Sequence, residues 1–305
     1  QSGRAVSLDV EGDVLLRRSA LARALAGLVG TGPHVTLVLA PGAADGPPGF
    51  IEARRRVGGT AADLIRVAPA LSEDGAAATW QRLLTDACRR LGAHGARRVY
   101  AAVPVGNDAA LQILLRSGFA AFGADVVYRR DQATTARAAT SELDADADQA
   151  AARLVEAGRA ARERMIEGPE NDWDAYPLGG HWPRRVATGL VTTPSGDARG
   201  AWRVIDGASG CWLRAEATND GDARQAVAAA LAAVRRGPVW SAARTHQASL
   251  HQALRHHGFQ PVGERSLLVR HTTRNVMVPS WHEQVAGAIA PSPPVTPART
   301  RPTGP

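Results

Sequence analysis

The feature that most constrains this chain is a long internal repeat. Within residues 80–130, the part from Val99 to Arg130 recurs as Val239–Arg270 at a fixed offset of 140 positions, without a gap. The matched pairs include Val99 with Val239, Gln112 with Gln252, Leu114 with Leu254, Gly118 with Gly258, Phe119 with Phe259 and Arg130 with Arg270. A repeat of this length indicates a duplicated domain rather than a short solenoid unit.

Length and composition agree with two globular domains. The chain has 305 residues, of which 45% are apolar, enough for one core in each half. No stretch of 18 apolar residues occurs, so we expect no membrane span. Cys88 and Cys211 fall in different halves, and we interpret both as small buried residues rather than as a disulfide framework. A reducing, cytoplasmic location fits that cysteine usage.

Arginine alone carries the positive charge, because the net charge is +7 and the sequence contains no lysine. A general affinity for polyanions is one interpretation of such a charge. The arginine doublets, however, are scattered along the chain rather than gathered on one face, which favours solvated surface residues. We therefore do not expect nucleic acid as a partner.

Hydrophobic periodicity predicts the same order of elements in both halves: a meander of three strands, then helix, strand, helix and strand. In the first half these elements are predicted at His34–Ala40, Gly49–Arg56, Ala62–Ala68, Ala78–Leu91, Arg98–Val103, Asp108–Arg116 and Ala124–Arg129. In the second half, strands are predicted at Val186–Thr192, Ala201–Ile205 and Cys211–Ala217, and a helix at Asp222–Arg235. The β-α-β unit of each half should cross over right-handed and place its two strands parallel.

This order predicts four segments. We expect an N-terminal domain over residues 1–132, a polar linker over 133–147 and a second domain over 148–285. Residues 291–305 are rich in proline and offer no apolar cluster that could be buried, so we predict a disordered tail over residues 286–305.

The helix that follows the buried strand carries a family pattern. Asn107 and Ala110 form Asn-x-x-Ala, and Gly118-Phe119 comes eleven residues after the asparagine. The second copy has Gln247, Leu250 and Gly258-Phe259 at these positions. With the element order, this resembles the GNAT acetyltransferase superfamily, twice over. The resemblance implies an α+β fold of two tandem GNAT-like domains, each a mixed, mostly antiparallel sheet flanked by helices.

The resemblance implies acetyl-CoA as cosubstrate and an amine, small molecule or peptide, as acceptor. In such a fold two parallel strands splay apart, and the pantetheine arm pairs with their free backbone groups as an added strand would. The pyrophosphate lies at the N-terminus of the following helix, where free N–H groups favour anions. The residues that the resemblance places at the cofactor are Val67, Ala68, Gly75, Ala76, Ala78 and Asn107.

Both phosphate loops depart from the family pattern Arg/Gln-x-x-Gly-x-Gly/Ala. In the first copy Gly75 stands at the basic or Gln position, while Glu73 and Asp74 bring negative charge to an anion site. In the second copy Asp220 and Asp222 cap the helix and occupy its anion-binding end. The first copy keeps more of the cradle, so we expect the cofactor in the N-terminal domain.

The catalytic groups are less well marked. The family's usual tyrosine acid stands seven residues after the asparagine, where this chain has Leu114 and Leu254. Asp63 and Glu52 both lie on the predicted meander, and we prefer Asp63 as the catalytic base. The competing interpretation is that Asp63 is a carboxylate at a strand edge that faces water. The histidines of the second half do not have the spacing of a metal site, and we expect no metal.

Two functions therefore stay open. One is an acyl-CoA-dependent N-acyltransferase, with acetyl-CoA as donor and the N-terminal copy as its site. The other is a catalytically degenerate tandem pair that serves as a binding or scaffolding protein. The drifted loops and the missing tyrosines favour the second, whereas the retained Asn107 and Gly118-Phe119 are partly structural and fit both.

Overall fold

The computed structural model describes residues 5–15, 34–40, 46–56, 60–131, 153, 185–235 and 237–272. Within these ranges the chain alternates strands and helices. Its elements are β1 (Val6–Ser7), α1 (Val10–Leu15), β2 (His34–Leu39), β3 (Gly49–Arg55), β4 (Ala61–Ala68), α2 (Ala76–Ala93), β5 (Arg98–Pro104), α3 (Asp108–Arg116), β6 (Ala120–Arg130), β7 (Arg185–Thr192), β8 (Ala198–Asp206), β9 (Cys211–Ala217), α4 (Asp220–Ala233), β10 (Val239–Arg244), α5 (Ala248–His256) and β11 (Gln260–His271).

The predicted α+β class and element order are confirmed. From β2 onwards each described element overlaps a prediction, and α3 matches it at both ends. Elements β1 and α1 were not predicted, because two and six residues are too few to show a period. The predicted linker 133–147 and tail 286–305 lie outside the described residues, so the domain boundaries stay predictions.

The described strands form one continuous mixed sheet, in the order β2-β3-β4-β5-β11-β6-β10-β9-β8-β7, with β1 beside β4. Each half contributes an antiparallel meander and one parallel pair, β4 with β5 and β9 with β10. At the centre the halves exchange their last strands. The first half's β6 pairs with β10 of the second half, and β11 of the second half pairs with β5 of the first.

The exchange is reciprocal in register. Val99 of β5 lies opposite Arg270, and Val239 of β10 lies opposite Arg130. These two pairs are converted into each other by the 140-residue offset of the repeat. The halves are therefore related by a pseudo-twofold axis that passes between β6 and β11. The part of the sheet that each half forms is completed by a strand from the other half.

Each hydrophobic core contains a side chain from the other half. Leu268 of β11 is fully buried in the core of the first half, beneath α2 and α3. Tyr128 of β6, its equivalent in the repeat, is fully buried in the core of the second half. There the Tyr128 hydroxyl lies 2.8 Å from Nδ1 of His251. Because each of these side chains is buried in the core of the other half, the strand exchange contributes to the stability of both cores.

The Gly-Phe pairs of the repeat end the two equivalent helices. Gly118 and Gly258 have φ angles of +83° and +79°, a backbone conformation that favours glycine after a helix. A Cβ at Gly118 would lie 3.7 Å from Nε of Arg270, so the exchanged strand also passes next to this turn. Phe119 and Phe259 follow and are buried in the two cores.

Candidate functional site

Both parallel strand pairs separate after three residues. Strands β4 and β5 pair from Ala61 with Arg98 to Asp63 with Tyr100, and then diverge. A bulge at Ile65 turns β4 away, because Leu64 and Arg66 pair with consecutive residues of β3. Strands β9 and β10 likewise pair only over residues 211–213 and 239–241. We call the two openings the N-terminal groove, between β4 and β5, and the C-terminal groove, between β9 and β10.

The chain's own N-terminal segment fills the N-terminal groove. Strand β1 pairs antiparallel with β4, Val6 opposite Val67 and Ser7 opposite Arg66. The next residue, Leu8, bridges the opening: its N–H donates to Ile65 O at 2.8 Å, and its carbonyl accepts from Ala102 N–H at 3.0 Å. The backbone groups that an extended ligand would use are bonded within the protein.

The predicted cofactor residues of the first half lie at the end of β4, at the start of α2 and just before α3. Val67 and Ala68 lie at the end of β4, and the backbone of Val67 pairs with both β1 and β3. Gly75, at a φ of +74°, begins α2, Ala76 is buried and Ala78 is exposed. The side chain of Asn107 caps α3 by accepting from Ala110 N–H at 3.2 Å.

Thr79 and Trp80, near the start of α2, contact the chain segments before β3 and after β4. The Thr79 hydroxyl donates to Pro47 O, and the Trp80 indole N–H donates to Pro69 O, both at 2.8 Å. Trp80 is fully buried and belongs to the first core. The Trp80 side chain therefore fills space inside the first core.

Among the described residues, no backbone segment pairs into the C-terminal groove, which leads into a cavity of about 200 Å³. The cavity lies where β9 ends and where α4 and α5 begin. Its described lining residues are Ala215, Glu216, Ala217, Ala223, His246, Gln247, Ala248, Ser249 and Leu250. Two helix N-termini thus face a cavity with small side chains along one wall, an arrangement that accepts an extended polar ligand.

Acidic side chains surround the mouth of this groove. The Ser249 hydroxyl donates to Asp220, and Asp222 accepts from the Asn219 side chain at 2.6 Å. Glu216 accepts two hydrogen bonds from the Gln247 amide, at 2.8 and 2.9 Å. Gln247 thus joins the two sides of the groove, instead of capping α5 as Asn107 caps α3.

A second cavity, of about 80 Å³, lies between the two halves, and we call it the seam cavity. Its lining carboxylates are Asp9, Glu11, Asp63 and Asp125. Its lining arginines are Arg54, Arg56, Arg214, Arg244 and Arg265. Buried charge of this density is rare in protein interiors unless the groups are paired.

Asp63, the predicted base, lies in this cavity as an ion-pair partner. It accepts from Arg54 at 2.9 Å and from Arg56 at 2.6 Å. Burial alone would raise the pKa of Asp63, but Arg56 and Arg54 outweigh it and hold that pKa below its ordinary value. The side chain is only 11% exposed, so it does not face water, and its lowered pKa makes it a weaker base than an ordinary aspartate.

Glu11 is a carboxylate of the opposite kind, and sequence patterns did not single it out. Helix α1 carries it to the second half, where Arg214 binds both of its oxygens at 2.6 and 3.2 Å. Burial raises the pKa of Glu11 to about 7, although Arg214 opposes the shift. The signal that would have identified Glu11 is a contact between residues 203 positions apart, which a sequence pattern does not contain.

The remaining predicted positions are structural. Leu114 and Leu254 are fully buried in the two cores, so neither leaves a polar group at a groove. Among the described residues, no three His, Cys, Asp or Glu side chains converge as metal ligands. No helix in the described ranges is long and apolar enough to cross a membrane.

No family model and no curated protein matches the sequence. Several solved structures are similar to the fold of this chain. A GCN5-related N-acetyltransferase from Sphaerobacter thermophilus has 13% identity and a TM-score of 0.47, over 75% of this chain and 79% of that one. A tandem GNAT protein from the clavulanic acid biosynthesis pathway has 13% identity and a TM-score of 0.46, over 89% and 99%.

A GCN5-related N-acetyltransferase from Kribbella flavida also has 13% identity and a TM-score of 0.46, over 84% of this chain and 95% of that one. At such identities, with TM-scores below 0.5, what this chain does has to follow from its own residues. The solved structures that it is similar to include GNAT-related N-acetyltransferases, one of them a tandem protein.

Proposed function

We propose that this chain is an acyl-CoA-dependent N-acyltransferase that binds its donor, acetyl-CoA, in the C-terminal groove. The observation that carries the proposal is the difference between the two openings. Residues 6–8 fill the N-terminal groove, whereas no segment in the described part of the chain pairs into the C-terminal groove, which leads into a cavity of about 200 Å³ beside two helix N-termini. The sequence favoured the N-terminal copy for the cofactor, and the position of β1 moves our assignment to the second copy.

The donor would lie along β9 and β10. Its extended arm would pair with backbone groups of β9 beyond Leu213, where pairing with β10 ends. Its phosphates would approach the first turn of α4, whose N–H groups and dipole favour anions. Asp220 and Asp222 weaken that attraction, so we expect a modest affinity for the donor.

The acceptor amine would enter from the other face of the sheet. Acyl transfer to an amine needs the nucleophile held against the thioester carbonyl, and much of the rate enhancement comes from that positioning. The proton lost by the amine needs a base whose pKa is close to the working pH. We assign this role to Glu11 rather than to Asp63, because the pKa of Glu11 is about 7 and that of Asp63 is lowered.

The 140-residue repeat supplies a matched test of donor binding. Ala248 is the exposed first residue of α5 and lines the C-terminal groove, and Asp108 is its exposed equivalent at the start of α3. In calorimetric titrations with acetyl-CoA, Ala248→Trp should abolish binding, and Asp108→Trp should leave it unchanged. Loss of binding in Asp108→Trp alone would place the donor in the first half.

A second candidate, a catalytically degenerate binding or scaffolding protein, is favoured by two observations. Strand β1 occupies one groove, and Asp220 and Asp222 lie at the anion-binding end of the other. Both features reduce the capacity to bind a nucleotide cofactor. If the folded protein takes up no acetyl-CoA at millimolar concentration, the enzyme proposal is wrong and the scaffolding function remains.

A further inference from the structure

The seam cavity has a charged lining that neither the donor groove nor the hydrophobic cores require. Among its described residues, five guanidinium groups face four carboxylates, which leaves a formal charge of +1 on the wall. An anion that enters the cavity is therefore attracted, and the low dielectric of the interior strengthens the attraction. A cation that enters the cavity is repelled by the same charge.

Arg244 and Arg265 both line this cavity. Asp125 binds Arg265 through both carboxylate oxygens, at 2.8 and 2.5 Å, and so fixes the direction of its guanidinium. Burial lowers the pKa of Arg265, Asp125 outweighs burial and raises that pKa above its ordinary value, and the like charge of Arg244 has a smaller, lowering effect. A group with two negative oxygens, placed between two guanidiniums, would relieve this repulsion.

Aromatic rings lie next to two of the guanidiniums. The guanidinium of Arg244 lies 5.5 Å from the ring of Phe122, and that of Arg56 lies 4.1 Å from the ring of Tyr100. The two rings pack edge to face at 6.1 Å. A planar guanidinium presents pairs of N–H donors that match the geometry of a carboxylate.

The cavity lies across the sheet from the C-terminal groove. Ala215 and Ala243 belong to the core that includes α4. Their neighbours Arg214 and Arg244 therefore project to the opposite face, because successive side chains alternate along a strand. Arg214 comes directly after Leu213 and Arg244 comes three residues after Ser241, the last paired residues of β9 and β10, so both arginines lie where these two strands diverge.

We propose that the seam cavity binds the carboxylate of a small, amino-acid-like acceptor whose amine faces the C-terminal groove. This inference rests on the proposed function, since it names the acceptor of the same site. A cavity of about 80 Å³ has the volume of about two to three water molecules. It admits a carboxylate and the few atoms next to it, and it excludes a folded or peptide chain.

The test uses acetate as a minimal probe and the full chain. Acetate should bind saturably with one site per chain, whereas ethylammonium at the same ionic strength should not. Arg244→Gln should weaken acetate binding about tenfold or more, because it removes a charge-assisted contact. Arg89→Gln, at a 71% exposed position on α2, should have no effect. If Arg244→Gln does not fold, Arg244→Lys keeps the charge without the planar fork and should show a smaller loss.

The outcomes separate this inference from the proposed function. The absence of saturable acetate binding, or equal weakening by Arg89→Gln, would overturn the carboxylate site, whatever the acetyl-CoA titration shows. Acetate binding in a protein that takes up no acetyl-CoA would overturn the acceptor role. Binding of both ligands, with Arg244→Gln affecting only acetate and Ala248→Trp only acetyl-CoA, supports both proposals.

Discussion

Asp125 and Arg265 form a bidentate ion pair between β6 and β11, although the 140-residue offset makes them the same position of the repeat. They lie directly opposite each other in the register of the two strands, at the pseudo-twofold axis. In a symmetric pair of identical strands, a residue at the axis faces its own copy, so an ionised side chain there would meet its own charge. Duplication within one chain allowed the two copies to carry opposite charges.

The axis position predicts that the two charges can be exchanged. Asp125→Arg and Arg265→Asp should each reduce the free energy of unfolding by about 3–5 kcal/mol, because each leaves like charges buried together. The double variant restores the pair with its direction reversed and should recover most of the loss. Urea unfolding of the four proteins measures this coupling. A double variant that is as unstable as the sum of the single variants would contradict the symmetric environment.

The strand exchange predicts that the halves depend on each other. Produced separately, residues 1–132 lack Leu268 and residues 133–305 lack Tyr128, so each core is incomplete. We expect each half alone to aggregate or to self-associate, and the two halves produced together to co-purify in equal amounts. Size-exclusion chromatography with mass measurement distinguishes these outcomes. Two stable, monomeric halves would show that the exchanged strands are dispensable.

Much of this fold could be predicted from sequence, because most elements have a period or a clear end signal. The exchange could not, since a repeat shows that two copies exist and not which copy completes which sheet. The residues around Val127 in β6 and around Leu267 in β11 would point to the same faces of the sheet whether each strand paired with its own half or with the other half. The seam cavity could not be predicted from the sequence either, because Glu11 and Arg214 become partners only through the path of α1.

Strand β1 should be part of the stable fold and not a detachable segment. Leu8 is 1% exposed and packs in the first core, so Leu8→Ala should reduce the free energy of unfolding by about 2–5 kcal/mol. Val38→Ala, at a 75% exposed position, should change it by less than about 0.5 kcal/mol. The Ala102 amide, which donates to Leu8 O, should be protected from hydrogen exchange. Rapid exchange there would mean that the N-terminal groove opens in solution.

Removing a negative charge from the C-terminal groove should improve donor binding. Asp220→Asn keeps an acceptor for the Ser249 hydroxyl and removes the charge next to the α4 N-terminus. Acetyl-CoA affinity should rise about two- to fivefold, as expected for one charge at a helix end. The gain should shrink as salt screens the interaction. Asp197→Asn, in the β7–β8 turn, is the control, and a drop in affinity for Asp220→Asn would mean that this carboxylate contacts the ligand directly.

Glu11 should make stability depend on pH between about 4.5 and 7. The pKa of Glu11 is about 7 in the folded chain, against 4.5 for an ordinary glutamate. Between these values the unfolded chain loses the proton while the folded chain keeps it, so stability falls as pH rises through that range and levels off above 7. The fall attributable to Glu11 is at most about 3 kcal/mol, from 1.36 kcal/mol per pKa unit.

Glu11→Gln isolates this contribution, because glutamine keeps a hydrogen-bond acceptor for Arg214 and cannot lose a proton. The stability difference between the wild-type chain and Glu11→Gln, measured by urea unfolding from pH 5 to 8, should shift in favour of glutamine with rising pH. Asp9, whose pKa burial also raises, is present in both proteins and largely cancels from the difference. Parallel curves would mean that Glu11 is ionised throughout this range, which would also remove it as the proton acceptor of the proposed reaction.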